Sequence, residues 1–292
     1  MEINNKVVVI TGGAGGIGLA IAKAFLLEDP KIIVLADISF ENFNFKNDKV
    51  INKQCNVSNQ TDLNNLINEV NQEFGLIDIF CSNAGVLSLG SEQSSNEDWD
   101  KNWNLHVMSH VFASKKLIPD MLKRGSGHFV NTASAAGLLS HIDSATYSTT
   151  KHAAIGFAEW LAITYGKKGI GVSILCPQAV KTAMIKGREN EVSALDGMMN
   201  PETVAIEVVK AIKNDVAIYS IHTALDNHKF GVSHQMGIVL GLKKQQVLIP
   251  KKDALLKLTT YVPIQDVSDV LKALHDAGAG SIGDYDACSF AL

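Results

Sequence analysis

The chain has 292 residues, 46% of them hydrophobic and 19% charged, which is enough apolar material for one full core with a small second domain and excludes wholesale disorder. A formal net charge of -4 leaves no basic surface of the kind that counterion-release binding to nucleic acid requires, so nucleic acid is excluded as a partner. The four cysteines, Cys55, Cys81, Cys176 and Cys288, lie far apart with no zinc-like spacing and read as reduced thiols.

The start of the chain, Met1 to Lys6, places an acid and amides where a secretory leader carries basic residues. The apolar run Val7 to Ile10 is far too short to cross a bilayer, so a cytoplasmic protein with no membrane partner is expected. Short β-branched runs then alternate with longer amphipathic stretches. Strands are expected over Lys6 to Ile10, Ile32 to Ala36, Ile77 to Ser82, His128 to Thr132 and Gly171 to Cys176. Helices are expected over Gly16 to Leu27, Thr61 to Phe74, Trp99 to Lys123 and Ala145 to Tyr165. This β-α-β-α rhythm predicts an α/β fold, a doubly wound parallel sheet of Rossmann type. From Ala183 to Asn200 the periodicity lapses in a Met-bearing stretch that reads as a mobile flap, and Pro201 opens a helix to about Lys213. Val216 to Ile221 is a candidate seventh strand. Farther on, Lys257 to Val262 reads as a strand, Asp266 to Ala277 as a helix and Gly278 to Gly283 as a turn, together a small β-α-β appendage.

Thr11-Gly12-Gly13-Ala14-Gly15-Gly16-Ile17-Gly18 follows the first strand and opens a helix, the setting that a phosphate-cradling loop requires. The helix N-terminus contributes about half a positive charge, so a pyrophosphate is favoured there without a lysine. Taken alone, a plain glycine-rich turn explains the same residues. Asp37, at the end of the second strand, is placed to accept hydrogen bonds from ribose hydroxyls and to repel a 2′-phosphate, and no Arg or Lys occurs in the loop or at Ile38 and Ser39. NAD is therefore favoured over NADP as cofactor. Tyr147 and Lys151 stand four residues apart and share a helical face. A free tyrosine titrates near ~10, and a cation ~4 Å away at an effective dielectric of about 20 supplies roughly 4 kcal/mol towards making it an acid/base at neutral pH.

The glycine loop, Asn83-Ala84-Gly85, Asn104, Ser134 and Tyr147 with Lys151 occur in the order and spacing of the short-chain dehydrogenase/reductase family, which the chain resembles over about residues 5 to 210. The resemblance implies an oxidoreductase that passes a hydride between nicotinamide and a small-molecule secondary alcohol or ketone. It implies that Ser134 hydrogen-bonds the substrate oxygen and Tyr147 exchanges its proton. Lys151 is then the group that binds the nicotinamide ribose and holds the phenolate, while Asn104 anchors a relay water. Gly12, Gly16, Ile17, Gly18, Asp37, Asn56, Val57, Asn83, Val180 and Thr182 are the implied cofactor contacts, with Tyr147 and Lys151. Singly, each has a structural explanation: a turn hydroxyl for Ser134, a helix-interior polar group for Asn104, a strand cap for Asn83. Two positions depart from the family pattern. Asn56 replaces the usual aspartate near the adenine, and Gln178 stands where glycine is usual, ahead of Val180 and Thr182. The resemblance also implies a homodimer or homotetramer joined through the helices that carry Asn104 and Tyr147. Ordinary core packing of Trp103, Phe112, Phe157, Trp160 and Leu161 is the other explanation of those helices. His106 and His110 share a helical face, but no third ligand accompanies them and no metal is expected.

Beyond about residue 210 the chain changes character. Asp215 to Asn227 and Lys257 to Phe290 are similar to parts of the dinuclear-metal family of GTP cyclohydrolase I type 2 homologues, in which the aspartate matching Asp226 is a metal ligand. The paired histidines and the C-terminal ligands of that family are absent, so His222 with Asp226 is at best half a site. The expected division is a dehydrogenase domain over 1–213 and a fragment over 214–292 that supplies the last sheet strand. A metal-dependent hydrolase or a non-catalytic interaction module built on that fragment is the alternative to a dehydrogenase.

Overall fold

Val7–Thr11 (β1) and Ile32–Asp37 (β2) are almost wholly apolar, and in the computed structural model they pair in parallel at the middle of a sheet, with every residue of β1 buried. The structure describes residues 1–41, 43–187, 197–214 and 267–276. Val50–Gln54 (β3), Ile79–Ser82 (β4), Gly127–Thr132 (β5) and Ile170–Leu175 (β6) complete six parallel strands in the order β3-β2-β1-β4-β5-β6. The expected Rossmann-type sheet is thus present. Its strand order reverses between β1 and β4, and the crevice beyond the carboxyl ends there is where such sheets take ligands.

Both faces of the sheet are covered, which is why its central strands read as unbroken apolar runs. Gly16–Leu26 (α1) and Pro201–Asn214 (α6) lie on one face, where Ile21 and Phe25 meet Val208 and Ile212 over Ile10 and Leu35. Gln60–Phe74 (α2), Ser109–Arg124 (α4) and Ala145–Tyr165 (α5) lie on the other, packing Leu63, Ile67, Leu117, Met121 and Leu161 on Val9, Val34, Phe80 and Phe129. Asn96–Trp103 (α3) begins at Ser95, whose hydroxyl accepts from the Asp98 amide, and passes through a widened π turn, Asn104–Met108, into α4. Ser144 caps α5 by accepting from the Tyr147 amide.

The strand β3 was not among the runs singled out above. Asn52, Lys53 and Gln54 break its apolar pattern because it is an edge strand, partly open to solvent. The segment read as a flap begins with a short 3-10 turn, Ala183–Ile185, and ends in Met199, whose amide donates to the Ala179 carbonyl at 3.0 Å while the Lys181 amide donates to the Met199 carbonyl at 2.9 Å. Its middle, 188–196, lies outside the described residues.

The chain divides into two compact units, Met1–Ile221 and His222–Leu292. Of the second, the described part is one helix, Val267–Asp276 (α7), within the helix expected over Asp266 to Ala277. The strands expected over Val216 to Ile221 and Lys257 to Val262, the turn at Gly278 to Gly283, and His222 with Asp226 lie outside the described residues. No helix among the described residues is long and apolar enough to cross a membrane.

Candidate active site

The glycine loop closes on itself through backbone contacts. Gly12 has φ +64, a conformation that L side chains rarely adopt, and a Cβ there would come within 2.9 Å of Ala84 Cα. A Cβ on Gly18 would fall 2.2 Å from the Gly12 carbonyl oxygen, so α1 approaches the loop as closely as backbone allows. The Thr11 hydroxyl accepts from the amides of Asn83 and Ala84 and donates to the Cys81 carbonyl, pinning β4 to β1. Asn83 Nδ2 donates to the Thr11 carbonyl at 3.1 Å, and its Oδ1 accepts from the Thr132 hydroxyl. The Asn83 side chain therefore ties loop, β4 and β5 together. Ile17 lies partly buried in the first turn of α1, against the core cluster on that face.

Asp37 sits at the carboxyl end of β2, where its Oδ2 accepts from the Ala14 amide at 3.0 Å and its Oδ1 from the Ile38 amide at 2.8 Å. Each oxygen retains a lone pair for a further donor. Asn56 Oδ1 accepts from the Ser58 amide at 3.1 Å, in an Asx turn, and Val57 behind it is 4% exposed. A cleft of about 440 Å³ lined by Ile38, Cys55, Asn56 and Leu66 opens beside these residues.

The acid/base candidates meet beyond the ends of β4 and β5. Lys151 is 3% exposed, and its Nζ donates to the Thr132 carbonyl at 3.0 Å and stands 5.5 Å from the centre of the Tyr147 ring. Ser134, in extended backbone after β5, accepts from the Ala136 amide and is the polar neighbour that draws the Tyr147 phenol downward in pKa. Burial outweighs it and pushes the phenol above its ordinary value, whereas the sequence pattern had suggested a lowered one. The ammonium stands too far from the ring to overcome the loss of water. The same burial brings Lys151 down to about 8.

One expected member is not in this cluster. Asn104 is exposed, and the side chain that packs against Tyr147 is that of His106, 0% exposed, with the two rings perpendicular at 5.5 Å. The reason is ordinary helical spacing: Asn104 stands two residues from both Asn102 and His106, on the opposite side of the helix from them. The buried stripe on this stretch runs Asn102, His106, Ser109, Ala113, Leu117 and leaves Asn104 outside. Residue pattern had marked His106 only as a half of a metal pair. No group of three or more His, Cys, Asp and Glu side chains that could hold a metal ion occurs among the described residues.

Val180 is 5% exposed and bridges to Met199, so the Gln178 departure does not unseat it. Thr182 reaches the glycine loop: its Cγ2 is 3.2 Å from where a Gly16 Cβ would stand. A dinucleotide fits these residues. The N-terminus of α1 has no side-chain cap and no acid in its first turn, and a Cβ on Gly15 would meet nothing within 4 Å, so an anion can approach free amides.

A doubly wound sheet with a glycine-lined switch point, and beside it a buried Lys with a half-buried Tyr and Ser, defines a nucleotide-binding oxidoreductase. The sequence model of the family described as short chain dehydrogenase matches residues 6–193, and the chain belongs to that family. The chain is 33% identical over 230 residues to the meso-2,3-butanediol dehydrogenase of Serratia marcescens, covering 74% of this chain and 91% of that protein. It is 27% identical over 260 residues to human 15-hydroxyprostaglandin dehydrogenase [NAD(+)], covering 78% and 95%. A short-chain dehydrogenase/reductase from Burkholderia phymatum, solved in complex with NAD, superposes with TM-score 0.69 at 26% identity and covers 86% of this chain and 100% of its own. A second family model, described as Duf34/NIF3 (NGG1p interacting factor 3), matches residues 196–288. That match starts ahead of α6, yet α6 packs on the dehydrogenase sheet.

Proposed function

We propose that this chain is an NAD-dependent dehydrogenase that interconverts an apolar secondary alcohol and its ketone with Tyr147 as acid/base. The observation that carries the reading is the buried Lys151 ammonium beside Tyr147, with Ser134 next to the phenol, at the mouth of the glycine-lined crevice. When bound, NAD supplies the two-electron acceptor and, in its oxidised form, a second positive charge beside the phenol. Gly12, Gly16, Ile17 and Gly18 offer backbone to its pyrophosphate, joined by Thr182. Asp37 takes the adenosine ribose hydroxyls. Asn56 and Val57 border the adenine, and Asn83 holds the loop in shape. Val180 and Lys151 serve the nicotinamide end.

Tyr147 rests protonated because burial disfavours its charge, which suits it to give a proton to a ketone oxygen. For oxidation it must lose that proton. The Lys151 ammonium, 5.5 Å from the ring centre, favours the phenolate over the phenol, and the positive charge of oxidised nicotinamide would add to it. Ser134 donates to the substrate oxygen and keeps it on the phenol side of the site. Met184 and Met198 after Thr182, with exposed Leu139 and Ile142 in the loop before Tyr147, favour an apolar substrate.

The test is a screen of secondary alcohols and ketones read by NADH absorbance, with Tyr147→Phe as control. Turnover that falls about 10²- to 10⁴-fold in the variant, with NAD binding retained, supports the reading. Undiminished turnover in Tyr147→Phe refutes it. Trp160 and Ile163, 53% and 84% exposed on α5, support pairing of two subunits through that face into a homodimer or homotetramer. Sedimentation as a monomer at micromolar concentration would dismiss this assembly.

A further inference from the structure

His106 joins three separate pieces of the site. Its Nε2 accepts from the Val86 amide at 3.1 Å, in the loop that continues from Asn83-Ala84-Gly85. Its Nδ1 lies 2.9 Å from the Thr150 hydroxyl, on α5 between Tyr147 and Lys151. Its ring stands edge to face with Tyr147. A Cβ placed on Gly85 would meet His106 Nε2 at 3.5 Å and Lys151 Nζ at 3.6 Å, so imidazole and ammonium flank the same backbone position.

The partners fix the proton positions. A backbone N–H can only donate, so Nε2 must carry the lone pair and Nδ1 the proton. The Thr150 hydroxyl then accepts from Nδ1 and passes its own hydrogen to the Thr146 carbonyl at 2.8 Å. That chain of hydrogen bonds ends on a carbonyl oxygen, which has no proton to hand on. The imidazole is thus a fixed neutral strap, unsuited to relaying protons. Adding a proton at Nε2 would set two N–H groups against each other.

We infer that His106 is a positioning residue for the proposed dehydrogenase reaction: as the neutral Nδ1–H tautomer it ties the Val86 loop to α5 and sets the face that Tyr147 presents to substrate. The inference rests on the dehydrogenase reading. Tyr147 packs against this ring, and Lys151 from α5 and His110 from α4 act on its charge through space. Burial, the Lys151 ammonium and His110 hold the imidazole well below its ordinary 6.5, against which the Val86 amide pulls only weakly upward. A charged His106 would also place a second cation by Lys151, whose own ammonium burial already disfavours.

Two measurements test this. Nitrogen NMR of the full chain labelled at histidine should show one imidazole in the Nδ1–H form that does not titrate between about pH 5.5 and 9 and is lost in His106→Gln. Kinetically, His106→Phe keeps the ring volume but strands the Val86 amide, and kcat should fall about tenfold or more with KM for NAD within about twofold, whereas His106→Gln, which keeps an acceptor, recovers most of kcat. An Nε2–H tautomer, an imidazole that titrates near 6.5, or an unaltered kcat in His106→Phe overturns the inference. Should His106→Phe fail to fold, the wild-type spectrum and His106→Gln decide. If the wild-type chain turns over no alcohol or ketone, the dehydrogenase reading falls, and the tautomer remains readable on its own.

Discussion

The two halves of the site are held by different means. In the cofactor half, from β1 through α1 to β2, the contacts are made by backbone: glycines with no Cβ, the amides of Ala14 and Ile38 on Asp37, and the Asn83 amide on loop carbonyls. In the catalytic half the contacts are made by side chains, buried for His106 with Thr150 and Lys151 with the Thr132 carbonyl and partly buried for Ser134 with Tyr147. The first arrangement tolerates almost no added atoms and carries little buried charge. The second tolerates changes of shape but depends on protonation. Steric variants therefore probe one half and pH probes the other.

The largest effect is expected from Gly18→Ala. Its methyl would lie 2.2 Å from the Gly12 carbonyl oxygen, and backbone cannot yield as a flexible side chain can. A loss of at least about 3 kcal/mol is expected, and a melting temperature lower by about 6–12 °C. Gly15→Ala is the matched control, since its Cβ meets nothing within 4 Å. Its melting temperature should stay within about 2 °C of wild type while the Kd for NAD rises about tenfold, because the methyl takes space offered to the pyrophosphate. Equal melting temperatures for the two variants would show that the loop is looser than its geometry, and the contrast between the halves would fail.

This contrast also governs what the sequence could disclose. The glycine loop, Asp37 and the parallel sheet follow from residues whose backbone requirements leave few other solutions, so the spacing Gly12 to Gly18 and the β-α-β rhythm pointed to the crevice. Tyr147 and Lys151 were legible because α5 is regular and their spacing is local. Asn104 falls outside the cluster because, two residues from both Asn102 and His106, it faces away from the helical stripe to which they belong. The signal that was available is the stripe Asn102, His106, Ser109, Ala113, whose spacing of four, three and four runs through His106 and not Asn104. Edge strand β3 escaped for a related reason, since a strand open on one side carries no unbroken apolar run.

In the catalytic half the corresponding test is the pH dependence of stability in Lys151→Met. Burial lowers the folded pKa of Lys151 from 10.5 to about 8. Between those values the unfolded chain binds more protons than the folded one, so this group makes stability rise with pH. Below about 8 the lysine is charged in both states and its full burial penalty applies; above 10.5 it is neutral in both and the penalty is gone. The shift corresponds to about 3 kcal/mol. Wild type should therefore gain up to that amount relative to Lys151→Met from pH 8 to 10.5, as read by denaturant titrations at each pH. The rise at Cys55 acts in the opposite direction but is common to both proteins and cancels in the difference, whereas the Cys176 thiol, which the Lys151 ammonium draws downward, shifts with the substitution and belongs to the difference itself. Parallel stability curves would mean that the ammonium is well solvated, and with that the electrostatic support assigned to the Tyr147 phenolate would be lost.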